Sequence, residues 1–441
     1  MALRDILLTV IIIAAVPMII KRTYYGVLVW SWLSYMNPHL LVWGFAYGQP
    51  FAQLIALSTI GSLVFSREEK KLPWSPTLGV WIMLIFWTCV TSFFAIAFDR
   101  SQDEFELFLK IQFMTFLTLM LINTKERLIQ LIWVIVGSLG FFGLKGGVFT
   151  IMTGGKYQVL GPGGLIAGNN ELAFALIMTL PLVQFLRLTS ENKWVRLALL
   201  ASLGLFAFSI VGSQSRGAFV AAGAIAVFLF FKSRRKLLLG VGTIIAVVAI
   251  LSFMPQSWFD RMGTITDYER DGSAMGRINA WGFAFNMALD RPLVGGGFDT
   301  FTPSLFYQYA PDPTNFHDSH SIYFQMLAEH GFVGFFLWAA LGVAVFRQAS
   351  RVVKACKDRH DLVWASDLVR MAQVSMVGYA VGGAFLGLAY FDLYYHVLAM
   401  VLITQRIVNT QLEGEREAAR EEQRPRVRLH SPPGTPVQAS E

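Results

Sequence analysis

The stretch AVFLFFKSRRKLLLGVG, from Ala226 to Gly242, joins two strongly apolar runs through a short basic loop. The runs cover residues 216–231 and 237–253, and each approaches the length that a helix needs to cross the hydrocarbon core of a bilayer. Short loops rich in Lys and Arg are retained in the cytoplasm. The stretch therefore predicts two membrane helices joined by a cytoplasmic loop. The cations of this loop are Lys232, Arg234, Arg235 and Lys236.

The same alternation of apolar runs and short polar loops extends over most of the chain. With 441 residues, a mean hydropathy of +0.52 and only 15% charged residues, the chain is too apolar for a soluble protein of this length. Its formal charge of +7 lies in short clusters between apolar runs, which favours membrane topology over nucleic-acid binding. We predict an all-α polytopic membrane protein with about twelve transmembrane helices. The apolar runs are 5–20, 25–47, 51–65, 77–97, 107–123, 128–152, 171–187, 194–212, 216–231, 237–253, 321–346, 368–388 and 390–409.

The basic loops also predict how the chain is divided between the two sides of the membrane. A second cluster of cations between Arg347 and Arg359 belongs in the cytoplasm, so residues 254–320 fall on the exported side. The predicted organisation has four parts. These are transmembrane helices over 1–253, an exported loop with interfacial amphipathic helices over 254–320, transmembrane helices over 321–409, and a disordered cytoplasmic tail over 410–441.

The stretch FHDSHSIYFQMLAEHGFVG, from Phe316 to Gly334, contains a candidate general base. Asp318 predicts a helix N-cap, which puts His320 in the first turn of a helix whose C-terminus is marked by Gly331. A helix N-terminus disfavours an imidazolium, so we expect a neutral His320 that can accept a proton. The same helix end favours an anion such as a phosphate. The alternative is a histidine that only forms hydrogen bonds within the interface.

Several cations are expected on the same exported side as His320. Arg216 follows GSQS where one apolar run ends, and Arg277 lies in the first turn of a predicted interfacial helix. Lys145 and Arg291 are further candidates, although each of these cations could instead contact lipid head groups. The apolar positions of the interfacial helix are Ile278, Trp281, Phe285 and Ala288.

Cations beside a neutral histidine suit one type of reaction. A pyrophosphate leaving group requires positive charge, which Arg216 and Arg277 can supply, and an acceptor hydroxyl requires a base such as His320. No carboxylate and histidine cluster lies among these cations in the sequence, so no divalent metal and no cofactor are expected.

The order of these motifs resembles that of a bacterial family. His320 and Ser321, the nine residues 322–330, then Gly331 and Gly334 fit the pattern of the O-antigen ligases, which are related to O-antigen polymerases and protein O-oligosaccharyltransferases. The stretch WLSYMNPHLLVWGFAY, residues 32–47, resembles the O-glycosylation ligases of exosortase-linked systems. Further matching blocks are the SRG around Arg216, the GR..W of Gly276, Arg277 and Trp281, and the P..G.G of Pro292, Gly295 and Gly297.

The resemblance implies a metal-independent, inverting glycosyl transfer on the periplasmic side of the bacterial inner membrane. The implied donor is a glycan on undecaprenyl pyrophosphate, and the implied acceptor is a sugar hydroxyl of lipid A–core. His320 would activate the acceptor and Arg216 and Arg277 would hold the pyrophosphate, with Lys145 and Arg291 as further substrate-binding residues. His317 matches no position of the family pattern. The alternatives are a polymerase or a protein O-oligosaccharyltransferase that uses the same donor, or a transporter of a lipid-linked sugar.

Overall fold

The computed structural model describes residues 3–232, 236–263 and 272–422, and all regular secondary structure within these ranges is helical. The predicted all-α class is therefore confirmed. Arg234 and Arg235 of the basic loop, and residues 264–271 of the predicted exported loop, lie outside the described residues. The α-helices are α1 (Leu3–Lys21), α2 (Tyr24–Met36), α3 (Phe51–Phe65), α4 (Pro76–Phe93), α5 (Phe98–Leu121), α6 (Lys125–Thr153), α7 (Asn169–Thr189), α8 (Lys193–Gly212), α9 (Arg216–Lys232), α10 (Lys236–Phe253), α11 (Gln256–Gly263), α12 (Gly272–Asp290), α13 (Pro303–Tyr309), α14 (Ile322–Ala355), α15 (Val363–Gly382) and α16 (Asp392–Glu422).

Six of the described helices, α1, α4, α6, α7, α8 and α14, are long and apolar enough to cross a membrane. The helices α3, α9 and α10 contain shorter apolar segments. The expected number of about twelve spans is thus not confirmed. One reason is length, because α2 has only 13 residues. Another is charge, because α5 begins with the polar segment FDRSQDE at residues 98–104.

The interior of the helix assembly is centred on α16. Its residues from Leu393 to Thr404 are all buried, and the ring of Tyr394 stacks on Tyr379 of α15 with centroids 3.9 Å apart. Phe174 of α7 packs against the same Tyr379 ring at 5.6 Å. A helix that is apolar on every face is stable only inside such an assembly.

One end of the helix assembly carries a network of charged side chains, which we call the basic end. Arg127 at the start of α6 pairs with Glu68 at 2.7 Å and lies 4.2 Å above the ring of Tyr24. Arg406 of α16 pairs with Glu69 at 2.7 Å. These contacts tie α2, α6 and α16 to the segment between α3 and α4.

The predicted disordered tail is wrong for residues 410–422, because α16 continues to Glu422. Arg359 donates to both carboxylate oxygens of Glu415 at 2.9 and 2.8 Å, and Gln411 donates to Asp361 at 2.7 Å. The low hydrophobicity on which the prediction rested is compensated here by charge-assisted hydrogen bonds to a neighbouring loop. Residues 423–441 lie outside the described part of the chain.

The opposite end of the assembly, which we call the site end, is held together by hydrogen bonds between interhelical loops. The backbone N–H of Val159 donates to the Gly212 carbonyl at 3.1 Å, and the Asn169 side chain donates to the Ser213 carbonyl at 2.8 Å. The Ile96 N–H donates to the Gly296 carbonyl at 2.9 Å. The connections α4–α5, α6–α7, α8–α9 and α12–α13 therefore meet at this end.

The helix α14 is interrupted at Gly331, which has φ 65° and ψ −170°. The interruption leaves the Ala328 and Glu329 carbonyls without their usual helical donors. They accept instead from the N–H groups of Gly296 and Gly297 at 2.8 and 2.9 Å, while Phe332 N–H donates to the Pro292 carbonyl at 2.8 Å. The segment 292–297, which we call the glycine loop, thus forms backbone hydrogen bonds with the broken helix. The predicted helix end at Gly331 corresponds to this break, after which the helix resumes.

The helix α12 begins at Gly272, so Arg277 lies in its second turn and the prediction of a first-turn position is wrong. Its buried face also differs from the predicted apolar face, since Ile278 and Phe285 are 46% and 47% exposed. Small and aromatic residues pack that buried face against α13 and α14, and apolar residues therefore occur on both faces of the helix. The buried apolar side chains are Ala280, Phe283, Ala284, Met287 and Ala288.

We expect Gly331→Ala to destabilise the protein by about 2 kcal/mol or more, because this backbone region is almost restricted to glycine. A β-carbon at position 331 would also lie 2.6 Å from the Pro292 carbonyl oxygen. The measurement is thermal unfolding of the purified protein in detergent. Gly204→Ala in α8 is the matched control, since a β-carbon there meets nothing within 4 Å. Equal unfolding midpoints for the two variants would contradict the proposed role of the break.

Candidate functional site

His320 lies at the site end, in the loop that precedes α14. The helix begins at Ile322 after an extended Ser321 whose side chain makes no capping hydrogen bond. The predicted N-cap at Asp318 and the predicted first-turn position of His320 are therefore wrong. His320 has φ 41°, a left-handed conformation that is rare outside glycine and that ends the loop immediately before the helix. The Asp318 carboxylate bonds the N–H of Ser319 at 2.6 Å instead of capping α14.

Side chains of α12 hold this loop in place. The Asn279 amide donates to the Asp312 and Asn315 carbonyls at 2.8 and 3.0 Å, and the Trp281 indole donates to the Ser319 carbonyl at 2.9 Å. The GR..W motif thus has a structural meaning, because its tryptophan fixes the backbone next to His320.

His317 packs on the same helix at Gly276. A β-carbon at Gly276 would lie 2.5 Å from the His317 ring, so only glycine leaves room for the imidazole at this position. His317 therefore contacts the turn of α12 that also carries Arg277. This contact gives His317, which the sequence patterns left without a role, a packing function beside the candidate site.

Arg216 is the first residue of α9 and follows a tight turn. Gln214 has φ 55°, and the Ser215 hydroxyl accepts from the Ala218 N–H at 3.2 Å, which caps the helix. The Gln214 amide also donates to the Gly155 carbonyl at 3.3 Å. The sequence GSQS thus builds the turn and the cap that put Arg216 at a helix N-terminus.

Arg216 and Arg277 line one cavity of about 150 Å³, which we call the dibasic cavity. Both side chains are partly exposed. Asn170 and Gln214 contribute polar side chains to the same walls. Two guanidinium groups facing one space beside a helix N-terminus favour a multiply charged anion. The two arginines predicted as functional residues are therefore brought together, although the sequence separates them by a helix hairpin and a long loop.

His320 is near the dibasic cavity but does not line it. The two are separated by the segment 385–388, whose Phe385 and Leu386 line the cavity, while a β-carbon at Gly387 would lie 3.8 Å from the His320 Cα.

The environment of His320 favours its neutral form. Burial is the largest effect and lowers the pKa of His320 below its ordinary value, whereas Asp318 raises this pKa. Arg277 lowers the pKa again, and the weaker effects of Glu171 and His317 act in opposite directions. The predicted neutral imidazole agrees with this direction, but burial rather than the end of a helix is the main cause.

The other two candidate cations lie elsewhere. Lys145 is exposed and lines a separate, mostly apolar groove of about 420 Å³ together with Arg4 and Trp32. Arg291 donates to the Gly295 carbonyl at 2.6 Å and to the Phe94 carbonyl, so it connects the glycine loop with the segment between α4 and α5. Neither residue lines the dibasic cavity.

Sequence reasoning missed a second cavity, of about 300 Å³, which we call the acidic cavity. The available signal was Glu329, a carboxyl group in the apolar helix that follows His320, because ionisable residues in such helices are often functional. No group of three or more His, Cys, Asp or Glu side chains in the described ranges is arranged to hold a metal ion. The carboxyl groups that line the acidic cavity belong to Glu104, Asp299, Asp318 and Glu329.

The fold and the site define an all-helical membrane protein with a cationic cavity at one end of its helix assembly. Residues 199–339 match a family model described as O-Antigen ligase, and residues 3–192 match one described as Family of unknown function (DUF5935). The segment 199–339 is thus similar to the O-antigen ligase family, and it contains Arg216, Arg277 and His320. The resemblance found from the motifs is thereby confirmed. The match supports an enzyme of the ligase or polymerase type. No curated protein matches the chain significantly.

We expect the dibasic cavity to bind inorganic pyrophosphate. Replacing one guanidinium in Arg277→Gln should weaken binding by at least ~10-fold, as the loss of a hydrogen bond to a charged group commonly does. The measurement is isothermal titration calorimetry of the detergent-purified protein. Lys145→Gln is the control, because Lys145 lines a different groove. A weaker affinity in the control, or an unchanged affinity in Arg277→Gln, would be incompatible with this site.

Proposed function

We propose that this protein is an O-antigen ligase that transfers a glycan from undecaprenyl pyrophosphate to a sugar hydroxyl of lipid A–core and so completes lipopolysaccharide. The observation that carries the proposal is the dibasic cavity, where Arg216 and Arg277 face one space beside His320. The match to the O-antigen ligase model supports the general class of reaction.

The proposed role of the two arginines is to bind the pyrophosphate of the donor. Negative charge develops on this group as its bond to the anomeric carbon breaks, and guanidinium groups stabilise such charge through bidentate hydrogen bonds. We propose that they do so without a divalent metal ion, because two fixed positive charges already face the cavity. The polar side chain of Asn170, which lines the same cavity, is available to orient the phosphate oxygens.

The proposed role of His320 is to accept a proton from the acceptor hydroxyl. The hydroxyl oxygen forms a bond to the anomeric carbon, the bond from that carbon to the phosphate oxygen breaks, and its electron pair leaves with the pyrophosphate. One displacement inverts the anomeric configuration. The lowered pKa of His320 keeps its imidazole unprotonated near neutral pH, which is the form that this step requires.

The distribution of charge supports a periplasmic site in the bacterial inner membrane. Cationic side chains such as Arg127 and Arg406 gather at the basic end, whereas His320 and the dibasic cavity lie at the opposite end. Cytoplasmic loops are those enriched in Lys and Arg. The site end would then face the periplasm, where lipid-linked glycans are transferred.

Two alternatives use the same donor, an O-antigen polymerase and a protein O-oligosaccharyltransferase. The match to the family model does not separate these two enzymes from a ligase. The experiment that distinguishes them incubates the purified protein with the donor and with each class of acceptor in turn. Transfer to lipid A–core supports the ligase, transfer to donor repeat units supports the polymerase, and transfer to Ser or Thr supports the protein ligase. Movement of donor across the membrane without transfer would favour a transporter.

We expect His320→Ala to abolish transfer and Arg216→Ala and Arg277→Ala each to lower kcat/KM by at least ~100-fold, as loss of a group that stabilises developing charge commonly does. The measurement is glycan transfer by protein reconstituted in liposomes with a defined donor and acceptor, at equal amounts of inserted protein. A chelator should leave the wild-type rate unchanged.

The matched controls are His360→Ala and Arg196→Ala, two exposed residues outside the candidate site. Both controls should retain wild-type rates. If His320→Ala turns over within about threefold of the wild-type rate, His320 is not the general base, because general-base catalysis typically contributes 10²-fold or more.

The pH dependence of transfer should follow the protonation of His320. Its pKa lies below the ordinary histidine value, so kcat/KM should be level near pH 7 and should fall on acidification as the imidazole becomes charged. Asp318→Asn removes a carboxylate that raises this pKa, so kcat/KM should begin to fall at a lower pH than in the wild type. The control is Asp103→Asn, which removes an exposed carboxylate on α5 and should leave the pH profile unchanged. A fall of kcat/KM that begins at a higher pH in Asp318→Asn would exclude His320 as the titrating base.

A further inference from the structure

The acidic cavity brings together carboxyl groups from three parts of the chain. Glu104 comes from α5, Asp299 follows the glycine loop, and Asp318 precedes His320. Asp299 is paired with Arg100 at 3.0 Å at the edge of this space. The fourth carboxyl group, that of Glu329, comes from α14 and is the most buried of the four. The four side chains are part of the lining of a cavity of about 300 Å³, which is sufficient for a sugar ring.

Glu329 is the most informative of the four because its side chain is held in one orientation. The residue is only 3% exposed, and the Tyr390 hydroxyl donates to its Oε2. Tyr390 is in turn bonded to His330 Nε2 at 2.7 Å, and His330 Nδ1 is bonded to the Thr91 hydroxyl at 2.7 Å. This chain of hydrogen bonds fixes the carboxyl group at the wall of the cavity.

The second carboxyl oxygen of Glu329 has a different environment. Among the described residues it receives no hydrogen bond, although the side chain lines the cavity and is almost completely buried. This oxygen is not among the buried side-chain atoms that lack a partner in the described residues, so it is accessible from the cavity that Glu329 lines. It can therefore accept a hydrogen bond from a molecule that enters the cavity.

The acidic cavity and the dibasic cavity lie on either side of one short segment. Phe385 and Leu386 line the dibasic cavity, whereas Gly387 and Leu388 line the acidic one. A β-carbon at Gly387 would lie 3.7 Å from Asp318 Oδ2 and 3.8 Å from the His320 Cα. A group in the acidic cavity can thus approach His320 from the side opposite to the arginines.

We propose that the acidic cavity binds the acceptor and selects an uncharged sugar, an inference that rests on the glycosyl transfer proposed above. Carboxylates accept strong hydrogen bonds from sugar hydroxyls, and Glu329 has an oxygen available for one. The carboxylates of Glu104, Asp299 and Asp318 repel a sugar that carries a phosphate or a carboxylate, because like charges brought together at a site oppose binding. The anionic donor and the neutral acceptor sugar are thereby directed to different sides of His320.

The experiment compares two synthetic acceptor glycosides that are identical except for one phosphate on a hydroxyl that is not glycosylated. Full-length protein is reconstituted in liposomes with one lipid-linked donor, and kcat/KM is measured for each acceptor. We expect the neutral acceptor to be preferred by ~10-fold or more, as repulsion within a charged site commonly produces. We call kcat/KM for the neutral acceptor divided by kcat/KM for the phosphorylated acceptor the preference ratio. This ratio should fall by about threefold in Glu104→Gln and by about tenfold in Glu104→Lys, because the phosphorylated acceptor is used faster.

The matched control is the pair Glu106→Gln and Glu106→Lys on the same helix. Glu106 lines a different groove and pairs with Lys110 at 2.6 Å, so the ratio should stay at its wild-type value. If the wild type transfers to both acceptors and the Glu104 variants leave the ratio unchanged, or if the phosphorylated acceptor is preferred, the acceptor assignment is overturned while the glycosyl transfer stands. If the wild type transfers to neither acceptor, the proposed function fails and the assignment fails with it.

Discussion

The backbone hydrogen bonds between the break in α14 and the glycine loop are the constraint on which the site depends. A helix interrupted inside an apolar assembly leaves carbonyl groups that water cannot reach, so it is stable only where another segment supplies donors. Gly296 and Gly297 supply them to Ala328 and Glu329. Gly331 then has to adopt a conformation that other residues rarely reach. The result is a rigid connection between α12, which carries Arg277 in its second turn, and α14, which follows His320.

Electrostatics then divides the site end into two opposite environments. Arg216 and Arg277 supply positive charge on one side of the segment 385–388, and the carboxyl groups around Glu329 lie on the other. His320 lies between them, and burial favours its neutral form. In the proposed reaction the acidic cavity repels the anionic donor, so the pyrophosphate is directed to the side of the two arginines.

Much of this architecture could be predicted from the sequence, and the failures have identifiable causes. Apolar runs predicted helices such as α3 and α9 within a residue or two, and family spacing singled out Arg216, Arg277 and His320. For α12, helical periodicity identified only one of two apolar faces, because Phe283 and Met287 form a second face that packs against other helices. Local capping rules failed at Asp318, whose carboxylate bonds the next N–H instead of the helix. The acidic cavity could not be predicted because its carboxyl groups come from distant segments that only tertiary packing brings together.

The spacing between His320 and Gly331 has a physical explanation in this structure. The nine residues 322–330 form a helical segment of roughly 13 Å, which links His320, the proposed base, to the break that contacts the glycine loop. Gln325 and Glu329 are four residues apart, so they share one face of this segment, and both line the acidic cavity. One inserted residue would rotate everything beyond it by about 100° and would move either the break or Glu329 out of place. The motif therefore constrains the acidic cavity, the proposed acceptor site, as well as His320, which explains why its length is as important as its residues.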